Sequence, residues 1–370
     1  MDLINKKADS LLGMAGIKMN GNKPWDIKVN NPKFFARVLS QGSLGAGESY
    51  MDGWWDCEKL DEFFNRILRV HLEKKLVTAG LIMAVAKSEL LNMQTVTRSK
   101  KVAKQHYDLG NEFYKTMLDK HMQYTCGYWK NARTLQQAQE HKLELICMKL
   151  GLKKGDTVLE LGCGWGGFAK YAAENYGCAV TAYNISKEQV SYARDACKGL
   201  PVKIVLDDYR NAKGKYDKVV SIGLCEHVGP KNYRGFMNLA YNCLNDYGLF
   251  FLHTIGGNES KVSCDPWTCK YIFPNGVIPS LHQISEASEG LFVQEDFHNF
   301  GIDYDKTLMA WFRNFDRSWP KFKSQYGDRF YRMWKYYLLS CAGAFRARKI
   351  HLWQFVFSKK GLPGGYNPIT

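Results

Sequence analysis

The sequence lacks the cysteine spacing that zinc ribbons and disulfide-bonded secreted domains require. It contains 11 cysteines, an odd number, and no two of them form a C-x-x-C pair. This scatter argues against a structural metal site and against a framework of disulfides. We therefore expect reduced thiols, as in a cytoplasmic protein, and no bound metal.

Long apolar runs are also missing. The N-terminal segment Met1–Lys7 has no apolar signal core. The longest apolar run, from Leu76 to Ala86, is too short to cross a hydrocarbon layer about 30 Å thick. These absences predict a soluble cytoplasmic protein, although such a protein can still bind a membrane surface.

Acidic residues are few compared with basic ones. Lys and Arg number 51 against 36 Asp and Glu, which gives a formal net charge of +15. Residues 321–370 carry ten Lys or Arg and the single acid Asp328. Such an excess suits nucleic acid or the anionic face of a membrane, but it is also common on solvated surfaces. No nucleic-acid-reading motif is visible, so we expect no nucleic-acid partner.

The segment Val158–Gly167 predicts a buried strand that runs into a glycine-rich turn. Apolar residues surround one acid, Glu160, and Gly162, Gly164 and Gly166 then allow a sharp turn and a close approach to a ligand. The following residues continue as a helix whose free N–H groups face the turn. An α/β sheet binds its ligand at such a crevice.

The turn suits S-adenosylmethionine (SAM) better than a nicotinamide cofactor. Gly162, Gly164 and Gly167 satisfy the G-x-G-x-x-G spacing, but that match alone is weak. A dinucleotide site also needs an acid at the end of the second strand, and residues 179–186 contain none. Glu160 instead resembles the acid in the E-x-G-x-G-x-G turn of SAM-dependent methyltransferases, where it can approach the cationic methionine end.

Residues 1–92 predict a small, mainly helical N-terminal domain without a strand-rich core. Its helical patterns cover residues 32–39, 60–70 and 72–91. Gly42–Gly47 is expected to be a loop between the first two helices. The polar and basic residues 93–104 read as a linker, so a second domain is expected at 105–370.

The second domain alternates strands and helices. Strands are predicted at 157–161, 178–184, 202–206, 217–222, 248–254, 291–298 and 350–357. Helices are predicted at 134–150, 167–176, 187–198, 231–244, 280–288, 305–325 and 328–345. This order predicts a doubly wound sheet with an antiparallel final strand. The expected fold class is α/β, a seven-stranded Rossmann-like SAM-dependent methyltransferase domain preceded by the helical domain.

Several polar and aromatic groups outside the turn are candidates for chemistry. Glu226, after the fourth strand, can stabilise a developing cation or simply cap the next helix. His253, after the fifth strand, is a proton-handling group or a structural histidine. The rings of His106–Tyr114 and Tyr124–Trp129 suit a cationic methyl donor, or they belong to the core. Tyr304 opens a helix whose apolar and aromatic residues line an apolar pocket or belong to the core.

Several long segments of unusual composition are spread along essentially the whole chain. They are Tyr50–Trp55, His106–Gly110, Tyr124–Trp129, Leu159–Gly167, Glu226–Gly229, His253–Gly256, Phe273–Gly276, Asp303–Asp305 and Ala342–Arg348. Together they resemble the bacterial cyclopropane-fatty-acyl-phospholipid synthases, with the mycolic acid cyclopropane synthases as relatives. The segment Tyr50–Trp55 favours the phospholipid enzymes, because the mycolic relatives lack that N-terminal domain.

The resemblance implies a reaction on a membrane lipid. SAM would give its methyl group to the cis double bond of an unsaturated acyl chain in a bilayer phospholipid. The resulting carbocation would lose a proton from the new methyl group to a bound bicarbonate ion, which closes a cyclopropane ring. Because water would intercept the cation, the pocket has to be dry apart from that base.

The resemblance also implies the residues of the site. The catalytic positions are Cys126, Glu226, His253, Ile255 through its backbone, and Tyr304. The cofactor positions, together with Glu160 of the turn, are Tyr107, Tyr124, Gly162, Gly164, Gly166, Gln189 and Asp208. Glu226 would orient the bicarbonate proton and balance the cation, while His253 and Tyr304 would hold the anion. The second strand departs from the family pattern before Ile185, which affects the expected ribose contacts but not the cofactor.

A two-domain layout fits an enzyme whose substrate lies in a bilayer. The N-terminal helices and the basic C-terminal surface are expected to dock on anionic lipid headgroups, at about 1 kcal/mol for each nearby Lys or Arg. The resemblance implies a homodimer bound peripherally to the inner face of the membrane. Two rival hypotheses are a methyltransferase for a soluble amine or phenol and a non-catalytic lipid-surface adaptor. The converging polar residues argue against the first, and the intact glycine turn argues against the second.

Overall fold

The computed structural model describes residues 2–75, 92, 94–95 and 110–369. Most of the predicted helix at 72–91 and of the linker at 93–104 therefore lies outside the described residues. Within 72–91, Leu72–Lys75 forms a single 3₁₀ turn.

Helices and strands are numbered in chain order. The helices are α1 Asp2–Met14, α2 Phe34–Met51, α3 Leu60–Arg69, α4 Asn111–Met117, α5 Leu135–Leu150, α6 Gly167–Tyr176, α7 Lys187–Ala196, α8 Cys225–Val228, α9 Tyr233–Cys243, α10 Pro266–Tyr271, α11 Leu281–Ser288, α12 Ile302–Ser318 and α13 Lys323–Arg346. The strands are β1 Lys28–Val29, β2 Trp55–Asp56, β3 Thr157–Leu161, β4 Ala179–Asn184, β5 Val202–Leu206, β6 Tyr216–Ile222, β7 Leu244–Gly257, β8 Val293–Asn299 and β9 Ile350–Ser358.

Seven of these strands form a mixed sheet in the order β5-β4-β3-β6-β7-β9-β8. Strands β3 to β7 pair in parallel, and β8 pairs with β9 in the antiparallel sense. The strand order reverses at β3, which has β4 on one side and β6 on the other. Open α/β sheets bind ligands at such a switch point. The predicted doubly wound sheet with a late antiparallel pair is confirmed.

Alternation along the strands gives the sheet two buried faces. In β3, Val158 packs with α5, α6 and α7, whereas Leu159 and Leu161 pack with α9 and α11. All three side chains are fully buried, and each contributes roughly 1.5–3 kcal/mol relative to an exposed position. With both faces covered by helices, the carboxyl edge of the strands remains for a ligand.

The chain divides into two compact units. The first comprises Met1–Asn92, Val262–Pro274 and Tyr304–Ile350, and the second comprises Met93–Lys261, Asn275–Asp303 and His351–Thr370. The break after Asn92 falls where the sequence predicts the helical domain to end. The first unit also takes in α10, most of α12 and α13, which the sequence assigned to the 105–370 domain. An independent domain at 1–92 stays a prediction.

The predicted loop at Gly42–Gly47 is wrong, because helix α2 runs through it. The helix kinks at Gly42, whose φ of +59° is left-handed. A Cβ atom on Gly47 would overlap the ring of Trp267. The glycines here permit a kink and a close approach between side chain and backbone, rather than ending the helix.

Other differences concern helix boundaries. The sequence did not predict α1 or the short α10. The predicted helix at 305–325 corresponds to α12 and a 3₁₀ turn at Trp319–Lys321, and α13 contains a kink at Gly327. Within the described ranges, none of the helices combines the length and the apolar character needed to cross a bilayer.

Candidate active site

The glycine turn after β3 is packed at both ends and open in the middle. Gly162, Gly164 and Gly166 have φ values of +83°, +53° and +79°, which favour glycine. A Cβ atom would lie 2.9 Å from Ala193 Cβ at Gly166 and 3.2 Å from Leu224 Cδ1 at Gly162. At Gly164, no atom of the described residues lies within 4 Å of that position. A ligand can therefore approach the backbone at Gly164, next to the N-terminus of α6.

Glu160 is buried directly before the turn. It is 2% exposed, and its Oε2 atom has no hydrogen-bond partner among the residues that the structure describes. Burial raises the pKa of this carboxyl to about 8, while the Lys142 ammonium and the Ala169 N–H oppose the rise. A shielded carboxyl oxygen without a donor is costly unless a ligand supplies one. Glu160 therefore suits the ammonium group of a bound cofactor.

Asn184 and Gln189 form a polar pair at the end of strand β4, the position at which a dinucleotide site has an acidic residue. Asn184 Nδ2 donates to the Gly164 carbonyl and to Gln189 Oε1, both at 2.9 Å. Ser186 caps α7 by accepting the Gln189 N–H. Gln189 is buried, and within the described part of the chain its Nε2 atom has no hydrogen-bond partner. Asn184 therefore orients the Gln189 amide beside the turn, where the sequence predicts a cofactor contact.

Asp208, which follows strand β5, already has hydrogen-bond partners within the protein. Its Oδ2 atom lies 3.0 Å from Arg210 Nη1, and its Oδ1 atom accepts the Arg210 N–H at 3.0 Å. The same guanidinium donates to the Gln94 carbonyl at 2.8 Å. These bonds account for a buried carboxylate at this position, and the predicted cofactor contact of Asp208 stays a prediction.

Aromatic rings lie beside the glycine turn. The ring of Tyr124 meets Tyr114 edge-on at a centroid distance of 5.4 Å, and Tyr114 contacts Trp165 at 4.9 Å. Trp165 belongs to the turn itself and donates through Nε1 to Asn111 Oδ1 at 2.8 Å. Such rings attract a cationic group. Tyr107, another predicted cofactor residue, lies outside the described residues.

Glu226 lies in α8, directly after β6. Its Oε1 atom accepts the Ile255 N–H at 2.7 Å, and its backbone carbonyl accepts the Val277 N–H at 2.7 Å. Its Oε2 atom is shielded and has no hydrogen-bond partner in the described ranges of the chain. Burial raises the pKa of the carboxyl to about 7, against the effect of the Ile255 N–H. The resemblance implies that the backbone of Ile255 contacts the anion. In this structure the Ile255 N–H donates to Glu226 Oε1.

His253 is an almost completely buried histidine in β7, with 1% of its surface exposed. Burial lowers its pKa well below the ordinary value, and Lys142 and Lys149 act in the same direction. The imidazole is therefore neutral at pH 7. Its Nδ1 atom lies 3.3 Å from the Gln354 amide nitrogen, and no described residue bonds to its Nε2 atom. With Gln354 as donor, the ring proton lies on Nε2 and is available to an acceptor.

The strand order brings four of the predicted catalytic residues to one edge of the sheet. Gly223, after β6, donates its N–H to the His253 carbonyl at 2.9 Å. A Cβ atom on Gly223 would lie 2.7 Å from Cγ2 of Thr125, the residue before the fully buried Cys126. The residues collected at the carboxyl ends of β6 and β7 are Cys126, Glu226, His253 and Ile255.

Tyr304 belongs to the first unit and is tightly packed there. Its ring stacks on Phe345 at a centroid distance of 4.5 Å and meets Trp311 edge-on at 6.0 Å. The next residue, Asp305, accepts two hydrogen bonds from Arg346 at 2.9 and 3.0 Å. The aromatic residues of α12 near Tyr304 therefore include core side chains, one of the two alternatives left open by the sequence.

Sequence reasoning missed the contribution of α5. Gln139 and Lys142 are completely buried on the face of α5 that holds the segment before Cys126. Gln139 Nε2 donates to the Thr125 carbonyl at 2.8 Å, and Lys142 Nζ donates to Thr125 Oγ1 at 3.0 Å. A lysine in a polar helix normally indicates a solvated face, so the sequence carried no signal for this role. Across the described residues, no group of three or more metal-ligating side chains is arranged to hold an ion.

Comparison with known proteins identifies relatives along most of the chain. A family model described as mycolic acid cyclopropane synthetase matches residues 94–355. The cyclopropane-fatty-acyl-phospholipid synthase of Escherichia coli strain K12 is 52% identical over 353 residues, which cover 95% of this chain and 92% of the relative. This alignment extends into the N-terminal segment that the family model does not match.

Solved structures show the same relationship. A cyclopropane synthase from Mycobacterium tuberculosis superposes with a TM-score of 0.66 at 26% identity, covering 73% of this chain and all of that one. A mycolic acid cyclopropane synthase in complex with S-adenosylhomocysteine and CTAB gives a TM-score of 0.65 at 29% identity, covering 70% of this chain and 98% of that one. The chain therefore belongs to the cyclopropane-fatty-acyl-phospholipid synthase family of SAM-dependent methyltransferases.

Proposed function

We propose that this enzyme transfers a methylene group from SAM to the cis double bond of unsaturated acyl chains in bilayer phospholipids, with bound bicarbonate as the base. The observation that carries the proposal is a pair of shielded polar atoms, Glu226 Oε2 and His253 Nε2, for which the described residues supply no hydrogen-bond partner. They belong to residues at the carboxyl ends of neighbouring strands. Methyl transfer to an amine or phenol needs no captured anion, so this pair favours chemistry on a carbon–carbon double bond.

The glycine turn and its neighbours suit SAM. SAM supplies a methyl group on a sulfonium, the strongly electrophilic donor that a weakly nucleophilic alkene requires. The open backbone at Gly164 and the unpaired oxygen of Glu160 suit the methionine end of the cofactor. Gln189 Nε2 suits a ribose hydroxyl, and Tyr124 presents an aromatic ring near the cation. Holding donor and alkene in line lowers the barrier by removing their freedom of relative motion.

His253 and Glu226 suit a small anion that carries one proton. Bicarbonate supplies a base that fits a closed pocket. Neutral His253 can donate its Nε2–H to an anion oxygen, and it remains neutral because burial opposes its protonation. Glu226 Oε2 can accept a hydrogen bond from the hydroxyl group of the anion. Cys126 and Tyr304 complete the proposed set by resemblance.

The same carboxylate stabilises positive charge. When the methyl group adds to the alkene, a cation develops on the acyl chain, and a preorganised carboxylate lowers its energy more effectively in a poorly solvated site than in water. Burial of Cys126, His253 and Glu160 leaves little surface for water at this edge. Excluding water also protects the cation from capture.

A basic face of α12 supports docking on an anionic membrane. Lys306, Arg313 and Arg317 are exposed and recur at helical spacing, with the partly buried Met309 between them. We call these three basic residues the α12 basic stripe. At about 1 kcal/mol for each residue near an anionic surface, the stripe contributes about 3 kcal/mol to peripheral association. The net charge of +15 supports the same proposal.

A homodimer is proposed on the resemblance alone. Light scattering on the purified chain, whose protomer mass is 42.4 kDa, tests it directly. A species of twice that mass supports the dimer, and a monomer at working concentrations contradicts it.

Mass spectrometry of vesicles tests the activity. Unsaturated phospholipid vesicles incubated with the protein and SAM should gain one CH₂ per modified acyl chain and lose the double bond at that position. A methylated headgroup, or unchanged lipid alongside normal SAM binding, would contradict the proposal. A second arm in CO₂-depleted buffer tests the base, because turnover should fall and then recover when bicarbonate is added.

A further inference from the structure

A lysine is completely buried beside the proposed site. Lys142 lies on α5, and its Nζ atom donates to Gln123 Oε1 and to Thr125 Oγ1. Both of these acceptors are uncharged, and they are the hydrogen-bond partners that the described residues provide. A buried ammonium with only neutral hydrogen-bond partners destabilises a fold. Packing alone therefore does not account for a lysine at this position.

The contacts of Lys142 lead to the proposed anion site. Thr125 is followed in the chain by Cys126, and its methyl group lies against Gly223. Gly223 in turn donates its N–H to the His253 carbonyl. The ammonium thus holds the short segment that lies next to the proposed catalytic residues.

The charge of Lys142 also reaches these residues. Two lysines act electrostatically on His253, Lys142 and Lys149. Lys149 is compensated by Asp296, whose Oδ2 atom lies 2.6 Å from its Nζ atom. Among the described residues Lys142 forms no such contact pair, and the carboxyls of Asp119 and Glu160 act on it only through the field. Part of its positive charge therefore remains to favour negative charge near His253.

We propose that Lys142 is a positioning residue for the anion site, which fixes the Thr125–Cys126 segment and supplies the positive charge that favours bicarbonate beside His253. This inference rests on the proposed function, because bicarbonate is the anion concerned. The proposed partners Glu226 and His253 bring no positive charge of their own at neutral pH. The buried cation of Lys142 therefore adds to the positive charge of the cofactor in favouring capture of an anion in a poorly solvated pocket.

Removing Lys142 should affect bicarbonate more than SAM. Without Lys142, a cationic cofactor would no longer be repelled by the ammonium group. The Glu160 carboxyl would also ionise less readily, because Lys142 favours its ionised form. These two effects oppose each other. The anion has no such compensation, so its affinity should fall.

The experiment compares Lys142→Met and Lys142→Gln with Lys142→Arg in the full-length protein. Turnover is measured on unsaturated phosphatidylglycerol vesicles in CO₂-depleted buffer with added bicarbonate, and SAM affinity is measured by calorimetry. The uncharged variants should raise the half-saturating bicarbonate concentration at least about tenfold and change the SAM Kd less than about threefold. Lys142→Gln retains hydrogen-bonding groups, so it separates charge from packing if the Met variant does not fold. Lys142→Arg should restore much of the bicarbonate affinity.

The matched control is the double variant Lys149→Met with Asp296→Leu. It removes another buried lysine of α5, but as a neutral pair, and it should keep the wild-type dependence on bicarbonate. Wild-type bicarbonate half-saturation in both uncharged Lys142 variants would overturn the inference and leave the proposed function intact. Equal losses in bicarbonate affinity, SAM affinity and thermal stability would also overturn it, because they indicate a structural role. Turnover of the wild-type protein that is independent of bicarbonate would refute the proposed base, and this inference with it.

Discussion

Replacing Glu226 with glutamine removes a charge while it keeps an acceptor of the same size. The amide oxygen can still accept the Ile255 N–H, which now donates to Oε1 at 2.7 Å. The backbone bond between Glu226 and Val277 does not involve the side chain. Folding and SAM binding should therefore survive, and the loss should be confined to the chemical step.

The size of that loss follows from the charge and its surroundings. At an effective dielectric constant of about 20, two unit charges about 5 Å apart interact by about 3 kcal/mol. Losing this interaction in the transition state slows the reaction by a factor of about 100 to 1000, the range seen when a charge-stabilising group is removed. We therefore expect kcat of Glu226→Gln to fall by that factor, with a SAM Kd within about threefold of the wild type.

The pH dependence gives a second readout of the same substitution. Burial raises the pKa of Glu226 to about 7, so the fraction of ionised carboxylate grows as the pH rises through 7. If ionisation of Glu226 is required, wild-type kcat/KM should increase across this range and level off above it. The glutamine variant should lack this limb.

The assay is mass-spectrometric turnover on vesicles, with calorimetry for SAM and thermal unfolding as a check of the fold. Glu174→Gln is the matched control, because it makes the same change on the exposed surface of α6. It should keep wild-type rates. Activity of Glu226→Gln within tenfold of the wild type, or a loss explained by weaker SAM binding, would refute the reasoning.

Three further substitutions test other parts of the structure. Gly164→Ala should weaken SAM binding at least about tenfold, as measured by calorimetry. The substitution places a methyl group at the open point of the turn and strains a residue with φ +53°. Unchanged affinity would show that the cofactor binds elsewhere. Lys149→Met should lower the free energy of unfolding by about 3–5 kcal/mol in urea titrations, and adding Asp296→Leu should recover most of it; equal stability of the single variant and the wild type would contradict this. Glutamine at all three positions of the α12 basic stripe should weaken binding to anionic vesicles about 100-fold in flotation assays. Turnover on detergent-dispersed lipid should not change. Unchanged flotation would show that the stripe is not a docking face.

The sheet could be predicted because its sequence signals are local. Each parallel strand is a short apolar run bounded by polar or glycine residues, and each crossover helix has its own start and stop signals. Thr134 accepts the Gln137 N–H and begins α5, and Gly151 ends it in a left-handed conformation, which agrees with the helix predicted at 134–150. Once the strand order is known, the carboxyl edge and its residues Glu226 and His253 follow.

The interior of α5 could not be predicted in the same way. Its buried face includes Gln139, Lys142 and Lys149, three polar residues that normally face solvent. Their burial depends on partners far away in the sequence, such as Asp296 on β8. Helical periodicity cannot reveal a pairing between side chains about 150 residues apart.

The prediction from the sequence was wrong for Gly42–Gly47 and left the role of Asp208 open. Gly42–Gly47 has the composition of a loop, but the contact of Gly47 with Trp267 turns it into part of a kinked helix. Asp208 has the position of a cofactor contact, and this contact stays a prediction, because the structure shows only its ion pair with Arg210. A tertiary contact decided the case of Gly42–Gly47.

The most direct test of the mechanism uses SAM whose transferred methyl group carries three deuterons. If a bound base removes a proton from that methyl group, lipid products should carry two deuterons on the added carbon and no double bond at the modified position. A product that keeps all three deuterons and an alkene or branched chain would contradict ring closure through a captured base.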